Sequence, residues 1–313
     1  MPNDSSLKLL VNPLDREAEI GIDFLARCFG ENWKPAMYRW YLQRTFQGEA
    51  PDRLVLLDGR RVLATAGIAY RLLRTPDLRI HRVGIMVAAC VPPHEQGRGR
   101  FSRLWKGAVN YCATRDCTAL LGFVTADNAS CLILRRSRAV QIPSSYVISD
   151  EPPRESTAGA LDIADVPSDA WRDYADRALR NQCSTAVAGF QYPDVNAWRS
   201  QFIDRPHPVE LLRAGDTSRA IIERVGETDR LQWLDGELED QSAAVAALVE
   251  RAHRARRRFF MYSTTALSGS FLRDCRLKVR PGFLMAIATR AEHEAVVGSW
   301  AALPWRVQSG DRL

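Results

Sequence analysis

The spacing of apolar residues changes abruptly near residue 92. Residues 83–91 are apolar and include no charged side chain, which is typical of a strand buried on both faces of a sheet. From residue 101 the apolar positions recur three and four apart, the spacing of one helical face. Residues 92–100 are therefore predicted to join a buried strand to the N-terminus of an amphipathic helix. The apolar stripe of that helix consists of Phe101, Leu104, Trp105, Ala108, Val109 and Cys112.

The rest of the first half alternates between helical and strand patterns. Asp58-Gly59 separates two β-rich runs, which is the strongest short signal for a hairpin. The predicted order is two helices, a hairpin, a long strand, a helix, a strand, a helix and a strand. The predicted helices outside the central one cover 20–30, 35–46 and 128–138, and the predicted strands cover 54–57, 62–70, 78–91, 119–124 and 146–148.

The second half repeats the opening of the first. Residues 151–167 are polar, contain prolines and lack periodicity, so they are predicted to link a domain of residues 1–150 to one of 168–313. After the linker, a helix with Trp198 and Phe202 leads to strands at 209–212 and 220–222 around a turn at Gly215. This order matches the first half at an offset of about 156 residues, measured from Gly59 to Gly215.

The two halves differ in charge at the strand-to-helix junction. In the second half, residues 235–240 read Asp-Gly-Glu-Leu-Glu-Asp just before a helix at Ala243. Carboxylates at a helix N-terminus repel an anion through their own negative charge, and they already compensate the positive end of the helix dipole. Only the first half is therefore predicted to bind an anionic cofactor.

Composition indicates a folded protein with a basic balance. Of 313 residues, 46% are hydrophobic, and the formal net charge is +6 with only four lysines among 43 basic residues. No apolar run reaches the ~18 residues of a membrane span and the first residues are polar, so we expect neither a signal peptide nor a membrane partner, and a cytoplasmic location. The positive charge suits a polyanionic ligand. Nucleic acid is not favoured, because the arginines are dispersed and the cluster 254–258 complements a helix dipole.

Cysteine and histidine positions do not indicate a metal site. The seven cysteines are irregularly spaced without a Cys-x-x-Cys pair, and no two of the five histidines have helical ligand spacing. The sequence predicts no disulfide and no metal.

The junction at 92–101 has the chemistry of a phosphate loop. Gly97 and Gly99 allow the backbone to approach an anion, and Arg98 and Arg100 can pair with phosphate oxygens. The third glycine of the dinucleotide fingerprint is missing, and no Lys-Ser or Lys-Thr follows as in a P-loop, which excludes both of those motifs.

Gln96-Gly97-Arg98-Gly99-Arg100-Phe101 resembles the acyl-CoA pyrophosphate loop of the GNAT superfamily of N-acyltransferases, which reads Arg or Gln, two residues, Gly, one residue, then Gly or Ala. Phe101 departs from that pattern. The resemblance is specific over 83–125 and weaker beyond 150. It implies an α/β (α+β) chain of two GNAT-like domains, the second degenerate, each with a mostly antiparallel mixed sheet flanked by helices.

The resemblance also assigns cofactor contacts outside the loop. It implies that Ala89, Cys90 and Val91 lie along the pantetheine arm, with a backbone N–H polarising the thioester carbonyl, although the same residues fit a plain core strand. Asn128 corresponds to an asparagine that reaches the pantetheine, and it also fits a helix N-cap.

The catalytic residues are less well determined. The family places a tyrosine acid where this chain has Arg135, and a Gly-Phe pair where it has Ala139-Val140. Tyr146 is the candidate acid, with Tyr38 and Tyr41 as alternatives that also fit core or rim aromatics. Asp127 is the candidate base, although a turn or capping role also fits it; His81, His94 and Glu95 are the other candidates, the last two predicted to face solvent.

The predicted function is acyl transfer from acetyl-CoA or another acyl-CoA, used as co-substrate, to the amine of a small molecule by direct attack. The alternative is a catalytically silent CoA-binding or interaction module, which the absent tyrosine favours. A third hypothesis is a nucleic-acid-binding protein, whose affinity for DNA or RNA would fall steeply with salt concentration. The sequence specifies neither the acceptor, the acyl chain length nor the oligomeric state.

Overall fold

A computed structural model describes residues 7–13, 18–30, 33–151, 161–184, 186–215, 218–235, 241–265 and 267–312. After a first strand that was not predicted, its elements follow the predicted order in the first half. They are β1 (Leu7–Val11), α1 (Ala18–Phe29), α2 (Pro35–Tyr38), a π-helical turn (Arg39–Gln43), β2 (Asp52–Asp58), β3 (Arg61–Arg74), β4 (Ile80–Cys90), α3 (Arg100–Thr114), β5 (Ala119–Thr125), α4 (Ala129–Arg136) and β6 (Val140–Ser149).

The second half has the same order of strands and helices with an added strand, β8, and an added helix, α9, at its end. The elements are β7 (Ile163–Val166), α5 (Trp171–Ser184), β8 (Gly189–Gln191), α6 (Val195–Phe202), β9 (Val209–Ala214), β10 (Ser218–Val225), β11 (Thr228–Leu234), α7 (Ser242–Arg254), β12 (Arg258–Ser263), α8 (Gly269–Asp274), β13 (Lys278–Ala288) and α9 (Glu294–Ser299). The turns at Gly59 and Gly215 share a left-handed backbone, with φ of 58° and 59°. Glycine adopts this conformation without steric cost, which is why it occupies both turns.

All these strands belong to one sheet, in which each half contributes its last strand to the other. The strand order is β1-β2-β3-β4-β5-β13-β6-β12-β11-β10-β9-β7, with β8 beside β3. β13 lies between β5 and β6, and β6 in turn pairs with β12. Neighbours are antiparallel except for the pairs β4·β5 and β11·β12, so the predicted mixed, mostly antiparallel architecture is confirmed.

The exchange of strands bears on the predicted domain organisation. The division into 1–150 and 168–313 marks where the order of elements starts again, and as a division into domains it stays a prediction. Part of the predicted linker forms a strand, because 163–166 is β7 and pairs with β9. Residues 152–160 of that linker lie outside the described residues.

Two apolar layers cover opposite faces of the first half of the sheet. On one face α3 buries Leu104, Trp105 and Ala108 against β2, β3 and β5, as its apolar stripe predicts. On the other face α1 and the π-helical turn pack on β3, β4 and β5, with Phe24 and Leu42 among the buried residues. A third core in the second half lies under α7 and α8.

Several predicted boundaries were wrong. The helix predicted over 35–46 ends as an α-helix at Tyr38 and continues as a π-helical turn only to Gln43. The strand predicted at 146–148 is part of the longer β6, which begins at Val140. The prediction was too short because Pro143 and two serines obscure the alternation of apolar and polar residues. Of the acidic run 235–240 only Asp235 is described; it is buried and paired with Arg177 at 2.6 Å.

Candidate functional site

The parallel strands β4 and β5 separate after three paired residues. They pair from Val83↔Ala119 to Ile85↔Leu121, and beyond that point each continues without pairing to the other. We call the gap between 86–90 of β4 and 122–125 of β5 the wedge. Its two strand edges face each other with backbone groups that the sheet does not use, so an extended ligand can bind there by main-chain hydrogen bonds.

A β-bulge distorts the β4 side of the wedge. The pairing of β4 with β3 shifts from Gly67↔Val87 to Thr65↔Cys90, which leaves one extra residue on β4. Ala88 has a φ of +46°, a left-handed conformation that is rare for alanine. A bulge redirects the backbone groups that follow it. The structure thus places Ala89, Cys90 and Val91 where the strand leaves regular geometry, and their contact with a pantetheine stays a prediction.

The loop after β4 leads directly to the N-terminus of α3. Gly97 and Gly99 have φ values of 74° and 73°, and Gly99 is the residue that precedes α3. A Cβ added at either glycine would meet no atom within 4 Å, so the outer side of the loop is open. The first-turn N–H groups of a helix have no intrahelical acceptor, and its dipole adds partial positive charge. The loop therefore has the geometry and the accessibility of an anion site, and its contact with a pyrophosphate stays a prediction.

The prediction that Glu95 faces solvent was wrong. Its side chain is 1% exposed and lies among the guanidinium groups of Arg61, Arg98 and Arg100, with an Arg100 Nε–Glu95 Oε2 distance of 3.4 Å. A buried carboxylate at this point offsets the mutual repulsion of three cations. Arg100 is itself nearly buried and serves this pair, whereas Arg98 keeps an exposed guanidinium that a phosphate can reach.

Two further loop residues hold the loop against the sheet. Gln96 donates from Nε2 to the carbonyl of Val91 at 3.1 Å. Phe101, the departure from the family pattern, packs partly against the apolar core between α3 and the sheet. The bulky side chain therefore anchors the start of α3.

Asn128 acts as the N-cap of α4. Its Oδ1 accepts hydrogen bonds from the backbone N–H and the hydroxyl of Ser130, at 2.9 and 2.8 Å. The N-cap interpretation is confirmed. The side chain is exposed, so its amide N–H groups remain accessible to a ligand in the wedge.

Asp127 is held in an ion pair that opposes a role as base. Its carboxylate accepts three hydrogen bonds from the Arg280 guanidinium, the shortest 2.6 Å from Nη2. These hydrogen bonds lower the pKa of Asp127. A carboxylate with its ordinary pKa is already a weak base at neutral pH, and the lower pKa makes it weaker still. Its role as a general base stays a prediction.

Tyr146 lies on β6, on the face of the sheet that carries α1, and β13 and β5 lie between it and the wedge. Its ring packs over Gly282 of β13, in the direction of β5. Tyr262 contacts it edge-on at 5.1 Å, and the Arg312 guanidinium lies 4.6 Å from its centroid. Burial raises the pKa of Tyr146, so its hydroxyl stays protonated through the neutral range.

The remaining catalytic candidates have other partners. Arg135 donates to Gln141 at 2.9 Å and stacks on Phe283. The Tyr38 hydroxyl accepts from Arg53 at 2.6 Å. His81 lies near the start of β4, away from the loop, where burial lowers its pKa.

Sequence reasoning did not place Cys28 at the wedge. The thiol of Cys28, at the end of α1, hydrogen-bonds with that of Cys90; this interaction lowers the pKa of Cys28 and raises that of Cys90. No local signal could reveal the contact, because α1 and β4 meet only in the folded chain.

The corresponding gap in the second half is filled by the chain itself. β11 and β12 pair in parallel from Thr228↔Arg258 to Leu231↔Met261 and then separate. The Gln308 amide occupies this second gap, where it accepts from the Leu234 N–H at 2.7 Å and donates to the Leu234 carbonyl at 3.0 Å. Ser309 Oγ accepts from the backbone N–H of Tyr262. A ligand would have to displace this segment to bind there.

No protein-family model matches the sequence, and no curated protein matches it. Solved structures do match. A protein from Enterococcus faecalis V583, a probable N-acyltransferase, shares 10% identity at a TM-score of 0.64, over 92% of this chain and 74% of that one. The tandem GNAT protein of the clavulanic acid biosynthesis pathway shares 12% identity at a TM-score of 0.61, over 90% and 99%. This chain has the tandem GNAT fold.

A third structure with the GNAT fold shows the same correspondence. The GCN5-related N-acetyltransferase from Kribbella flavida shares 15% identity at a TM-score of 0.58, over 90% of this chain and 72% of that one.

Among the described residues, no helix is long and apolar enough to span a membrane. Nor do three or more His, Cys, Asp or Glu side chains in that part of the chain form a metal-binding group.

Proposed function

We propose that the protein transfers an acetyl or other short acyl group from acyl-CoA to the amine of a small molecule. The observation that carries this proposal is the wedge, which has a bulged strand on one side and leads into a glycine loop at a helix N-terminus. An elongated thioester with an anionic end fits that arrangement. The fold shared with N-acetyltransferases supports the proposal.

The loop and β4 perform different tasks in the proposed reaction. The N–H groups from Gly97 to Phe101, with Arg98, bind the pyrophosphate. The pantetheine arm hydrogen-bonds along 89–91, and Asn128 donates to it from α4. The N–H of Cys90 or Val91 polarises the thioester carbonyl, and a backbone donor held in an apolar strand stabilises a developing oxyanion effectively.

The chemistry is a direct displacement. The amine nitrogen attacks the carbonyl carbon, a C–N bond forms, the C–S bond breaks, and the thiolate leaves. We assign Tyr146 as the acid that protonates the thiolate. Asp127 is kept as the candidate base, with the reduced basicity that Arg280 imposes. Holding the two reactants together supplies much of the rate, so strong base assistance is not essential.

One observation favours a catalytically silent CoA-binding module as the second candidate. Arg135 stands where the resemblance places the tyrosine acid, and it is engaged with Gln141 and Phe283 rather than facing a substrate. In that case acyl-CoA would bind without turnover.

The loop assignment is tested by a matched pair of variants, Gly99→Asp and Gly99→Asn. Both side chains tolerate a left-handed backbone and have the same shape, so the pair differs only in charge. A carboxylate about 5 Å from the pyrophosphate costs about 1–3 kcal/mol, or about 10- to 100-fold in affinity. We expect that loss, measured by titration calorimetry with acetyl-CoA, for Asp relative to Asn. Equal affinities of the two variants, or no binding by the wild type, would refute the assignment.

Turnover distinguishes the two candidate functions. A thiol-release assay against a panel of small amines should show release of CoA, and the release should be slower with Gly99→Asp than with Gly99→Asn. If acetyl-CoA binds and no amine in the panel gives release, the silent module is favoured.

A further inference from the structure

A groove of about 500 Å³ lies between the π-helical turn of the first half and α6 of the second. Three arginines line it, Arg39, Arg44 and Arg205, together with Trp40 and the carboxylate of Asp204. The groove has the size of a small-molecule site. Its walls come from both halves, so it exists only because the two halves pack together.

Trp40 holds two of these guanidinium groups in place. Arg44 lies 4.1 Å and Arg205 4.5 Å from the centroid of its ring. Cation–π contacts of this kind fix the orientation of a guanidinium without neutralising its charge. The two cations are therefore preorganised at the groove.

The carboxylates around the groove do not balance its cations. Among the residues that the structure describes, Arg44 donates to neutral oxygens alone, the Ser200 carbonyl and Gln201 Oε1 at 2.8 Å. Within the described ranges Arg39 forms no ion pair, and it is exposed. Arg205 pairs with the buried Glu223 at 2.9 Å.

The acidic group at the rim is already engaged, and a further cation lies behind the groove. Asp204 pairs with Arg199 at 3.2 Å. Arg71 is fully buried and lies 3.6 Å from the Phe46 centroid. Burial, followed by the charges of Arg71 and Arg205, lowers the pKa of Arg44 to about 8. An anion in the groove would relieve this repulsion.

The π-helical turn lines the groove with one side and packs on the sheet with the other. Leu42 of this turn packs over Gly67 of β3 beside Val87, the residue that precedes the bulge. A molecule held in the groove by its anionic end would have to extend past the turn to reach the element that would present the thioester. π-Helical turns are rare and occur frequently at functional sites.

We propose that this groove binds the anionic group, a carboxylate or a phosphate, of the amine that accepts the acyl group. The planar guanidinium fork matches both kinds of oxyanion in bidentate fashion. The proposal rests on the proposed acyl transfer. It predicts an acceptor that carries negative charge, and it disfavours polycationic acceptors such as aminoglycosides.

The binding test needs no acyl-CoA, so its outcome is independent of the proposed reaction. Inorganic phosphate and malonate are titrated separately, by calorimetry and thermal shift, into Gly99→Asp, in which the loop no longer competes for the anion. Arg39→Gln in that background removes an exposed charge that has no ion pair. Arg254→Gln is the control, because it removes an exposed arginine of α7 that pairs with Glu250 and lies outside the groove.

We expect saturable binding of at least one anion, weakened at least fivefold by Arg39→Gln and unchanged by Arg254→Gln. Tighter binding of phosphate than of malonate would assign a phosphorylated acceptor, and the reverse a carboxylate. No saturable binding of either anion up to 50 mM (about 2 kcal/mol of affinity), or equal binding by Arg39→Gln, would overturn the proposal.

A kinetic comparison connects the groove to acyl transfer. Unbranched amino acids of increasing chain length are each compared with their amide, which lacks the carboxylate. The KM of the amide should be the higher for at least one chain length, and Arg39→Gln should reduce the ratio of the two. A ratio that is the same in both proteins would show that the groove does not bind the acceptor. Absence of turnover with intact anion binding would refute the reaction and leave the anion site.

Discussion

Asp311 provides a test of the segment that fills the second gap. It ends the turn that follows Gln308, and it is buried. Its carboxylate accepts from the Tyr192 hydroxyl at 2.6 Å and from the Gln308 N–H at 2.8 Å. Burial raises the pKa of Asp311 from 3.8 to about 6, against the opposing effect of these hydrogen bonds and of Arg306 and Arg71.

The magnitude follows from the difference between the folded and unfolded pKa. Because the folded pKa is the higher, the folded state binds the proton more tightly, and stability is lost as pH rises from about 4 to 6. A shift of about two units at ~1.4 kcal/mol per unit amounts to about 3 kcal/mol, fully developed above pH 6. Asp311→Asn removes the charge, keeps the shape, accepts from the Gln308 N–H and donates to the Tyr192 oxygen.

We expect Asp311→Asn to unfold with a free energy up to ~3 kcal/mol above that of the wild type at pH 7.5, and only about 1 kcal/mol above it at pH 4.5. Urea denaturation at pH 4.5, 6 and 7.5 measures the difference. Asp77→Asn is the control, since the pKa of Asp77 is lowered, mainly by the Thr75 hydroxyl, and its effect has the opposite sign. A difference that does not grow with pH, or a less stable Asp311→Asn at pH 7.5, would refute the reasoning.

Two further substitutions test the centre of the sheet. A Cβ at Gly282 would lie 2.7 Å from the Val124 carbonyl oxygen and overlap the Tyr146 ring. Gly282→Ala should therefore lower the free energy of unfolding by about 1–3 kcal/mol. The control Gly298→Ala should not lower it, because the space around Gly298 is open. Tyr146→Phe should lower kcat by about 100-fold and change the KM for acetyl-CoA little, while the control Tyr38→Phe leaves kcat unchanged; an unaltered kcat in Tyr146→Phe would remove this tyrosine from the mechanism.

Much of the candidate site could be predicted because it is local in sequence. The strand, the glycine loop and α3 follow one another within 83–112, and their apolar spacing identifies each element without knowledge of the rest of the chain. Glu95 shows where this approach stops. One of its three arginines is Arg61, which the hairpin brings to the loop, so the burial of Glu95 depends on a contact that spacing does not encode.

The chain by itself determined the repeated order of elements, the hairpins with their glycine turns, and the position of the anion loop, because these depend on short-range periodicity and backbone preference. Only the tertiary structure decided that β13 lies between β5 and β6, that Gln308 fills the second gap, and that Arg44 and Arg205 meet on Trp40. A strand edge can accept any segment of compatible pattern, so these pairings depend on how the two halves pack together.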